Sequence, residues 1–397
     1  MADVYATIIG AGVTGMTIAY ELSQFLNPGD FCLLEKEKTF PSDNQSSRNS
    51  GVIHAGIYYD QKHSPLKASL CVLGNELLYR FCETNNIASK QTGKLIVATN
   101  SDEDNTLDVL LARAHENNVP GVRKITSREV ERLEPNVSAY SALYLPTSGI
   151  IDPLSLVQKL KDFSGLEQYF FKGTEVLALR EHKNEIIITA SSPGNPKYEI
   201  STKYLINAAG LYSDKIAKML NPDFPLSIFP VRGEALKFTQ NRPELIVSRN
   251  VYPVPTTIKK SDGSSHLTLG VHLTPTISSD ISFASHLQEI SVGPLNRKSG
   301  SVLKLNDFAS DLAPHSVFLE KVKPYFPALQ LEDLKYHQVG IQAVLSNGLD
   351  FHISPDNKHA RMINLVGICS PGLTSSLAIV KMVKNIILPE KTNGPKY

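Results

Sequence analysis

Residues 4–15 read Val-Tyr-Ala-Thr-Ile-Ile-Gly-Ala-Gly-Val-Thr-Gly, and this stretch decides the fold. The apolar, β-branched run 4–9 is typical of a buried strand, and the glycines that follow predict a tight turn. Beyond the turn, apolar residues recur at helical spacing: Met16, Ala19, Leu22 and Leu26. The sequence therefore predicts a strand, a glycine turn and a helix in immediate succession.

A second apolar run, residues 31–34, ends in Glu35, which lies 20 positions beyond Gly15. Gly10 permits the tight turn, Gly12 lets the backbone approach a pyrophosphate, and Gly15 lets the helix pack closely on the sheet. The helix N-terminus offers N–H groups and partial positive charge to phosphates, and Glu35 can accept hydrogen bonds from a ribose. Together these parts predict a dinucleotide-binding βαβ unit. An acid at this position favours an unphosphorylated ribose, hence FAD or NAD over NADP.

The composition is that of a globular protein with no dominant charge. The chain has 397 residues, enough for roughly two to three domains, with 42% hydrophobic and 20% charged residues. A formal net charge of +1 provides no overall field to attract nucleic acid or an anionic membrane surface, and no nucleic-acid partner is expected. Any anion must therefore be recognised by a few local groups.

Cysteine spacing and apolar runs bear on the cellular setting. The cysteines show no Cys-x-x-Cys spacing and are predicted to be reduced thiols packed as small hydrophobic groups: Cys32, Cys71, Cys82 and Cys369. No metal-ligand spacing is present, and no apolar run approaches the roughly 18 residues that span a bilayer. The chain also starts directly in a strand, without a signal-peptide pattern. We expect a cytoplasmic protein, with peripheral contact to the inner membrane left open.

The segment 46–59, Ser-Ser-Arg-Asn-Ser-Gly-Val-Ile-His-Ala-Gly-Ile-Tyr-Tyr, is too polar for a core strand. Its small residues allow the backbone to approach a planar ring, Arg48 could neutralise a phosphate, and His54 has a pKa suited to proton transfer near neutrality. The alternative is an ordinary surface turn with a hydrogen-bonded histidine.

Two later segments repeat the pattern of a strand followed by a small-residue turn. A predicted strand at 204–207 runs into Ala-Ala-Gly at 208–210, which lets the chain pass close to a ligand. A buried strand at 362–368 precedes Ser-Pro-Gly-Leu-Thr at 370–374 and an amphipathic helix from about 375 to 387. The N-terminus of that helix could stabilise negative charge on a reduced flavin ring, and a plain βα turn is the alternative.

Taken together, these motifs resemble the FAD-dependent oxidoreductases of the D-amino-acid-oxidase fold. Within that family the sequence is most similar to the L-2-hydroxyglutarate dehydrogenases, and neighbouring glycerol-3-phosphate and amine oxidases share the same frame. The resemblance runs from residue 4 to about 385. The matches that distinguish the group are residues 47–59, 66–72, 93–98, 232–234, 251–255 and 269–274.

The resemblance implies an α/β architecture in which a Rossmann-like FAD-binding domain is interleaved with a β-rich substrate domain. Short β-like runs broken by Pro, Gly and Ser support the β-rich part. We predict that the FAD-binding domain comprises residues 1–88, 148–222 and 338–397. The substrate domain would comprise residues 89–147 and 223–337.

A set of cofactor-binding residues also follows from the resemblance, with FAD as the cofactor. These residues are Gly10, Gly12, Thr14, Gly15, Glu35, Lys36, Ser47, Arg48, Asn49, Ser50, Gly51, Val52, Val176, Ala209, Gly210, Gly372, Leu373 and Thr374.

The implied reaction is oxidation of a small 2-hydroxy acid, with L-2-hydroxyglutarate as the best single candidate. A base must take the hydroxyl proton while hydride leaves C2. By resemblance His54 is the first candidate base and His272 the second, and Arg232 and Tyr252 are candidate substrate-binding residues. On the residues alone, an ion pair with Glu234 explains Arg232 equally well.

One departure from the family pattern concerns the substrate. The family carries Arg in a Gly-x-Arg stretch before the final strand, whereas residues 340–343 read Gly-Ile-Gln-Ala here, so Gln342 brings no charge. The family's Gly-Pro-Asn-Ala segment is also altered, to Gly-Pro-Leu-Asn at 293–296. Either Arg232, Arg249 or Arg361 supplies the charge, or the substrate is different or less anionic.

Three alternatives therefore stay open at this point. A glycerol-3-phosphate oxidase and an amine or amino-acid oxidase share the fold, and a non-catalytic flavoprotein acting in assembly or modification belongs to another class. The expected partners are a small-molecule substrate and a direct electron acceptor, which would be oxygen, a quinone or a partner flavoprotein.

Overall fold

A computed structural model describes residues 2–259, 265–277, 288–297, 305, 307–346 and 350–388. The chain forms two compact units, each assembled from separate stretches. The first unit comprises Met1–Ser47, Pro153–Pro230 and Gln342–Tyr397, and the second comprises Arg48–Asp152 and Val231–Ile341.

The described residues contain helices in both units. The helices are α1 Val13–Ser23, α2 Pro65–Thr84, α3 Ser101–Glu116, α4 Ser127–Leu133, α5 Pro153–Phe163, α6 Ser213–Leu220, α7 His315–Val322 and α8 Gly372–Ile387. Local chemistry explains the best-defined helix start: Asn100 caps α3 by accepting the Glu103 N–H at 3.0 Å.

Strands supply the frame of each unit. They are β1 Val4–Ile9, β2 Phe31–Glu35, β3 Val52–Ile53, β4 Ser89–Lys90, β5 Lys94–Ala98, β6 Arg123–Thr126, β7 Ser141–Leu145, β8 Gly149–Ile151, β9 Phe170–Lys172, β10 Glu175–His182, β11 Glu185–Ser192, β12 Asn195–Asn207, β13 Ile228–Thr239, β14 Asn250–Pro253, β15 Thr256–Lys259, β16 Ser265–Thr268, β17 His272–Pro275, β18 Glu289–Arg297, β19 Lys335–Leu345, β20 His352–Pro355 and β21 Met362–Val366.

The first unit contains the predicted βαβ arrangement. Its sheet has the order β10-β11-β12-β1-β2-β9, with β21 also paired to β12 and β20 paired to β21. β1 pairs in parallel with β2 on one side and β12 on the other, so it lies between them. All five residues of β2 are buried, as expected for a parallel strand covered on both faces. Helix α1 packs against α5 and α8.

The second unit is built on an antiparallel-rich sheet with the order β19-β13-β18-β17-β14-β5-β7-β6. Alternate residues of its strands face two different hydrophobic clusters. Leu95, Val251 and Leu273 join a cluster with Phe318 of α7, whereas the other face of β5 and β14 packs in a cluster with residues of α3. This sheet supports the polar side chains described below.

Residues 48–88 cluster with the second unit, although the sequence assigns 1–88 to the FAD-binding domain. Long-range pairing explains their position, because Val52 of β3 pairs with Ile150 of β8. Asn75 also donates to the carbonyls of His54 and Thr147, at 2.9 Å each. Which unit binds FAD and which binds substrate stays a prediction.

The polar segment 46–59 is not the surface turn considered as an alternative. Most of its residues from Gly51 onward are buried, and Val52 and Ile53 form a short strand. Among the described helices, none is both long enough and apolar enough to span a membrane.

Candidate active site

The glycine turn after β1 is too close to its neighbours for side chains. Gly10 has φ +102°, and a Cβ there would lie 2.5 Å from the carbonyl oxygen of Ala208, at the end of β12. A Cβ on Gly15 would lie 1.9 Å from the carbonyl oxygen of Gly10. Glycine is therefore required at both positions, and α1 starts directly against the turn.

Side chains from two other segments hold this turn. Glu35 is buried and accepts the Ala11 N–H at 2.8 Å through one carboxylate oxygen and the Glu37 N–H at 2.9 Å through the other. Ser46 Oγ accepts the Val13 N–H at 2.8 Å. Each Glu35 oxygen keeps a further lone pair, so the carboxylate can still receive a ribose hydroxyl.

A second helix N-terminus belongs to the same unit. Helix α8 begins at Gly372, three residues earlier than predicted, so Gly372, Leu373 and Thr374 form its first turn. The hydroxyls of Ser375 and Ser376 are buried and have no hydrogen-bond partner among the described residues. Unpaired buried hydroxyls at the positive end of a helix are suited to a polar or anionic ligand.

The remaining predicted cofactor residues of the first unit have varied surroundings. Lys36 Nζ lies 3.8 Å from the ring centroid of Tyr212, and Val176 is part of an apolar core cluster. Ala209 and Gly210 lead into a short 3₁₀ turn before α6, and Ser47 donates to the Asn44 carbonyl at 3.1 Å. Thr14 lies in the first turn of α1.

The other predicted cofactor residues belong to the second unit: Arg48, Asn49, Ser50, Gly51 and Val52. The Arg48 guanidinium lies 4.0 Å from the ring centroid of Phe308 and donates to the Val339 carbonyl at 3.3 Å. A Cβ on Gly340 would lie 2.5 Å from the Arg48 carbonyl oxygen, so the glycine of the altered Gly-Ile-Gln-Ala stretch is needed for this close approach.

A candidate base and a candidate substrate-binding residue stack on one face of the second sheet. Tyr252 of β14 and His272 of β17 have ring centroids 3.6 Å apart and ring planes 14° apart. On the other side of β14, Lys94 of β5 places its Nζ 3.7 Å from the Tyr252 ring centroid. All three side chains are buried. The structure thus adds Lys94, which sequence reasoning missed because a lysine at the edge of an apolar run is typically exposed.

Burial and charge change the pKa values of this group. Burial, with the positive charge of Lys94, lowers the pKa of His272 to about 3. Burial lowers the pKa of His54 well below its usual range, and Lys94 and then His272 add to the effect. Burial also lowers the pKa of Lys94 to about 7. Both imidazoles are therefore neutral near neutral pH, the form in which a histidine accepts a proton.

Three arginines were considered as replacements for the arginine of the family's Gly-x-Arg stretch, and each has another partner. Arg232 is buried, lies 3.4 Å from the Glu234 carboxylate and donates to the Ser310 carbonyl at 2.6 Å. Arg249 pairs with Glu134 at 3.1 Å. Arg361 belongs to the first unit and lies 5.8 Å from the Tyr204 ring centroid. The ion pair considered as the alternative role of Arg232 is present.

Comparison with known proteins identifies the family. The model of the family described as FAD dependent oxidoreductase matches residues 6–386. The chain belongs to this family. Its cofactor is FAD, its activity is that of an oxidoreductase, and the predicted family resemblance is confirmed.

Curated relatives of this FAD dependent oxidoreductase are similar over nearly its whole length. It is 32% identical to the L-2-hydroxyglutarate dehydrogenase of Indibacter alkaliphilus, covering 95% of this chain and 97% of the relative. It is 33% identical to the mitochondrial enzyme of that name from Arabidopsis thaliana, covering 96% and 83%. With the Escherichia coli K12 enzyme of that name the identity is 30%, covering 98% and 94%.

Solved structures confirm the predicted fold of the oxidoreductase. The FAD-bound, dithionite-reduced L-alpha-glycerophosphate oxidase from Mycoplasma pneumoniae superposes with a TM-score of 0.84 at 24% identity, covering 100% of this chain and 97% of the other. Glycine oxidase from Geobacillus kaustophilus gives a TM-score of 0.77 at 18% identity, covering 99% and 96%.

The first unit of this flavoprotein suits the cofactor. At Gly10 and Gly15 a Cβ would clash with backbone atoms, so the turn has the close-packed form that lets a pyrophosphate approach a helix N-terminus. Glu35 is fixed at the end of β2 by two backbone N–H groups. Sequence reasoning also missed Ser46, which braces the turn, although it is the first residue of the polar segment quoted above.

Proposed function

We propose that this FAD dependent oxidoreductase converts L-2-hydroxyglutarate to 2-oxoglutarate. The observation that carries the proposal is the similarity to curated L-2-hydroxyglutarate dehydrogenases, at 30–33% identity over at least 95% of this chain, from bacteria and a plant. The neutral histidines of the second unit support it, because oxidation of a 2-hydroxy acid requires a base for the hydroxyl proton.

The first unit supplies cofactor binding in this proposal. The turn formed by Gly10 and Gly12, together with the N-terminus of α1, holds the pyrophosphate. Glu35 accepts hydrogen bonds from the ribose, and the N-terminus of α8 contributes partial positive charge. FAD held by these residues would supply the acceptor for the hydride from C2 of the substrate.

The second unit supplies the base. His272 Nδ1 lies 3.2 Å from the Gly270 carbonyl oxygen, so the proton of the neutral ring belongs on Nδ1. This leaves the lone pair on Nε2, which is buried and has no hydrogen-bond partner among the described residues. His272 can thus accept the hydroxyl proton at Nε2. His54, the first candidate by resemblance, is the second neutral imidazole close enough for its pKa to respond to His272.

The electrons then leave the reduced protein directly to oxygen, a quinone or a partner flavoprotein. The four cysteines are free thiols buried in the fold, and the described residues contain no group of three His, Cys, Asp or Glu side chains arranged to hold a metal ion.

Turnover of a substrate panel by the purified holoprotein tests this function. With a dye as electron acceptor, we expect L-2-hydroxyglutarate to give the highest kcat/KM and 2-oxoglutarate as product. The D-enantiomer, L-lactate, glycerol 3-phosphate, glycine and L-proline serve as comparisons. Turnover of glycerol 3-phosphate or an amino acid in preference to L-2-hydroxyglutarate would overturn the proposal. No turnover of any compound would favour the non-catalytic alternative.

A further inference from the structure

Three neighbouring strands of the second sheet align five polar or aromatic side chains on one face. Lys94 of β5 is in register with Asn250 of β14. Val251 of β14 is in register with Leu273 of antiparallel β17, which places Asn250 opposite Thr274 and Tyr252 opposite His272. One row therefore consists of Lys94, Asn250 and Thr274, and the adjacent row contains Tyr252 and His272. We call these five residues the polar face.

The polar face contains a buried cation without a counterion. Lys94 is 1% exposed, and no carboxylate among the described residues pairs with it. Its Nζ lies 3.7 Å from the Tyr252 ring centroid and 5.7 Å from that of Tyr58. The nearby titratable groups are His54 and His272, which are neutral near pH 7, and the Cys71 thiol of α2, whose pKa burial raises to about 12. Buried charges in proteins are normally paired, whereas this cation has no negative partner within the described part of the chain.

Unpaired polar atoms lie on the polar face and on the neighbouring Tyr58. Three buried atoms have no hydrogen-bond partner among the described residues, namely Asn250 Oδ1, His272 Nε2 and Tyr58 Oη, and the Thr274 hydroxyl lies next to the Tyr252 hydroxyl. Such atoms are uncommon, and each costs free energy unless a ligand or water satisfies it. The Lys94 ammonium and the hydroxyls of Thr274 and Tyr58 can donate to a negatively charged group, whereas Asn250 Oδ1 and His272 Nε2 accept and are suited to a donor such as a substrate hydroxyl.

We propose that Lys94 binds a carboxylate of the substrate, with the hydroxyls of Thr274 and Tyr58 as further donors. Lys94 thereby supplies a positive charge for the substrate from within the second unit. This inference rests on the proposed function, which requires a dicarboxylate. Tyr252 stands between Lys94 and His272, so it separates the carboxylate-binding cation from the candidate base.

A substrate-binding Lys94 and a purely structural Lys94 lead to opposite expectations for the stability of a Lys94 variant. Replacing Lys94 with Met removes an unpaired buried charge and keeps most of the volume, so the ligand-free protein should be at least as stable as wild type. A lysine that stabilised the fold would have the opposite effect. Loss of ligand binding without loss of stability is therefore the signature of a binding residue.

The test compares the holoproteins of wild type, Lys94→Met and Lys94→Arg, with Lys335→Met as the control for an exposed lysine of the same sheet. The Kd of 2-oxoglutarate is measured from the change in flavin absorbance, and Tm is measured with and without 2-oxoglutarate. For Lys94→Met we expect full flavin content, an unchanged or higher Tm, and a Kd raised about 100-fold or more. Lys94→Arg should recover part of the affinity, and Lys335→Met should match wild type.

A second variant and a second ligand keep the result interpretable. Thr274→Val removes one hydroxyl with little change in volume and should weaken 2-oxoglutarate binding by about 10-fold. Pyruvate identifies the carboxylate: its binding is also weakened if Lys94 holds the carboxylate beside C2, and unaffected if Lys94 holds the distal one. Wild-type affinity for 2-oxoglutarate in Lys94→Met, or a lower Tm without ligand, would overturn the inference. Wild-type protein that neither binds 2-oxoglutarate nor oxidises L-2-hydroxyglutarate would instead refute the proposed function.

Discussion

Over one range of pH, Lys94 is protonated while His272 is not. Burial disfavours both charged forms, which lowers the pKa of Lys94 to about 7 and that of His272 to about 3. Between these values Lys94 is a cation and His272 is neutral. The group that binds the carboxylate and the group that accepts the proton are thus both in their active forms in mildly acidic solution.

This overlap predicts the pH dependence of kcat/KM, which reports ionisations of the free enzyme. The value should fall as pH rises through about 7, because Lys94 loses the proton that gives it charge. Bound carboxylate favours the ammonium form, so the corresponding fall in kcat should lie at higher pH. The measurement is a kcat/KM profile from pH 5 to pH 9 for wild type and Lys94→Met. An equal fall near pH 7 in both proteins would show that another group titrates.

Replacement of each candidate base gives a second prediction for single residues. His54→Ala and His272→Ala should both retain flavin, and the variant that lacks the base should lose about 10²-fold or more in kcat. His63, which is half exposed beside Asp60, provides the control variant His63→Ala. Steady-state turnover and flavin absorbance measure the two effects separately. Undiminished turnover in both test variants would rule out a histidine base.

Some residue roles could be predicted from the sequence, and others could not. The requirement for glycine at positions 10 and 15 follows from the motif, and the structure gives its steric reason. Arg232 has the ion pair with Glu234 that its sequence neighbourhood suggested. Lys94 was not predicted, because its burial depends on β7 and β14, which pair with β5 from distant parts of the chain.

Secondary-structure elements whose ends are set by local chemistry were predicted most accurately. The strand β1 has the predicted bounds, 4–9, because an apolar run ends at a glycine turn. Helix α8 starts three residues early, since Gly372 and the residues after it join the helix rather than the turn. The segment 46–59 could not be placed from composition, because its burial comes from pairing with β8 and from contacts of Asn75.

The junction of β1 and α1 supports a prediction about this element. Gly15→Ala would place a Cβ 1.9 Å from the Gly10 carbonyl oxygen, so the turn and α1 must separate. We expect a protein with little bound FAD and a lower Tm. Gly194→Ala is the control, because a Cβ there meets nothing within 4 Å, although its φ of +81° carries some strain. Flavin content per chain measures the effect, and normal FAD content in Gly15→Ala would contradict it.

At the scale of the whole molecule, the sequence predicted interleaved domains and the structure divides the chain into two units, each made of separate stretches. The first division falls after Ser47, whereas the predicted boundary followed residue 88. Sheet pairing between distant segments decides such boundaries, and a single sequence does not show which strands pair. The polar side chains of the second unit are likewise brought together by strand pairing, since β5, β14 and β17 become neighbours only in the folded sheet.

Anaerobic reduction of the purified holoprotein by L-2-hydroxyglutarate tests the central claim most directly. One equivalent of L-2-hydroxyglutarate should remove the absorbance of the oxidised flavin and yield one equivalent of 2-oxoglutarate, because a single hydride and a single proton leave the substrate. An oxidised flavin that persists with excess L-2-hydroxyglutarate but is reduced by glycerol 3-phosphate or an amino acid would contradict the account.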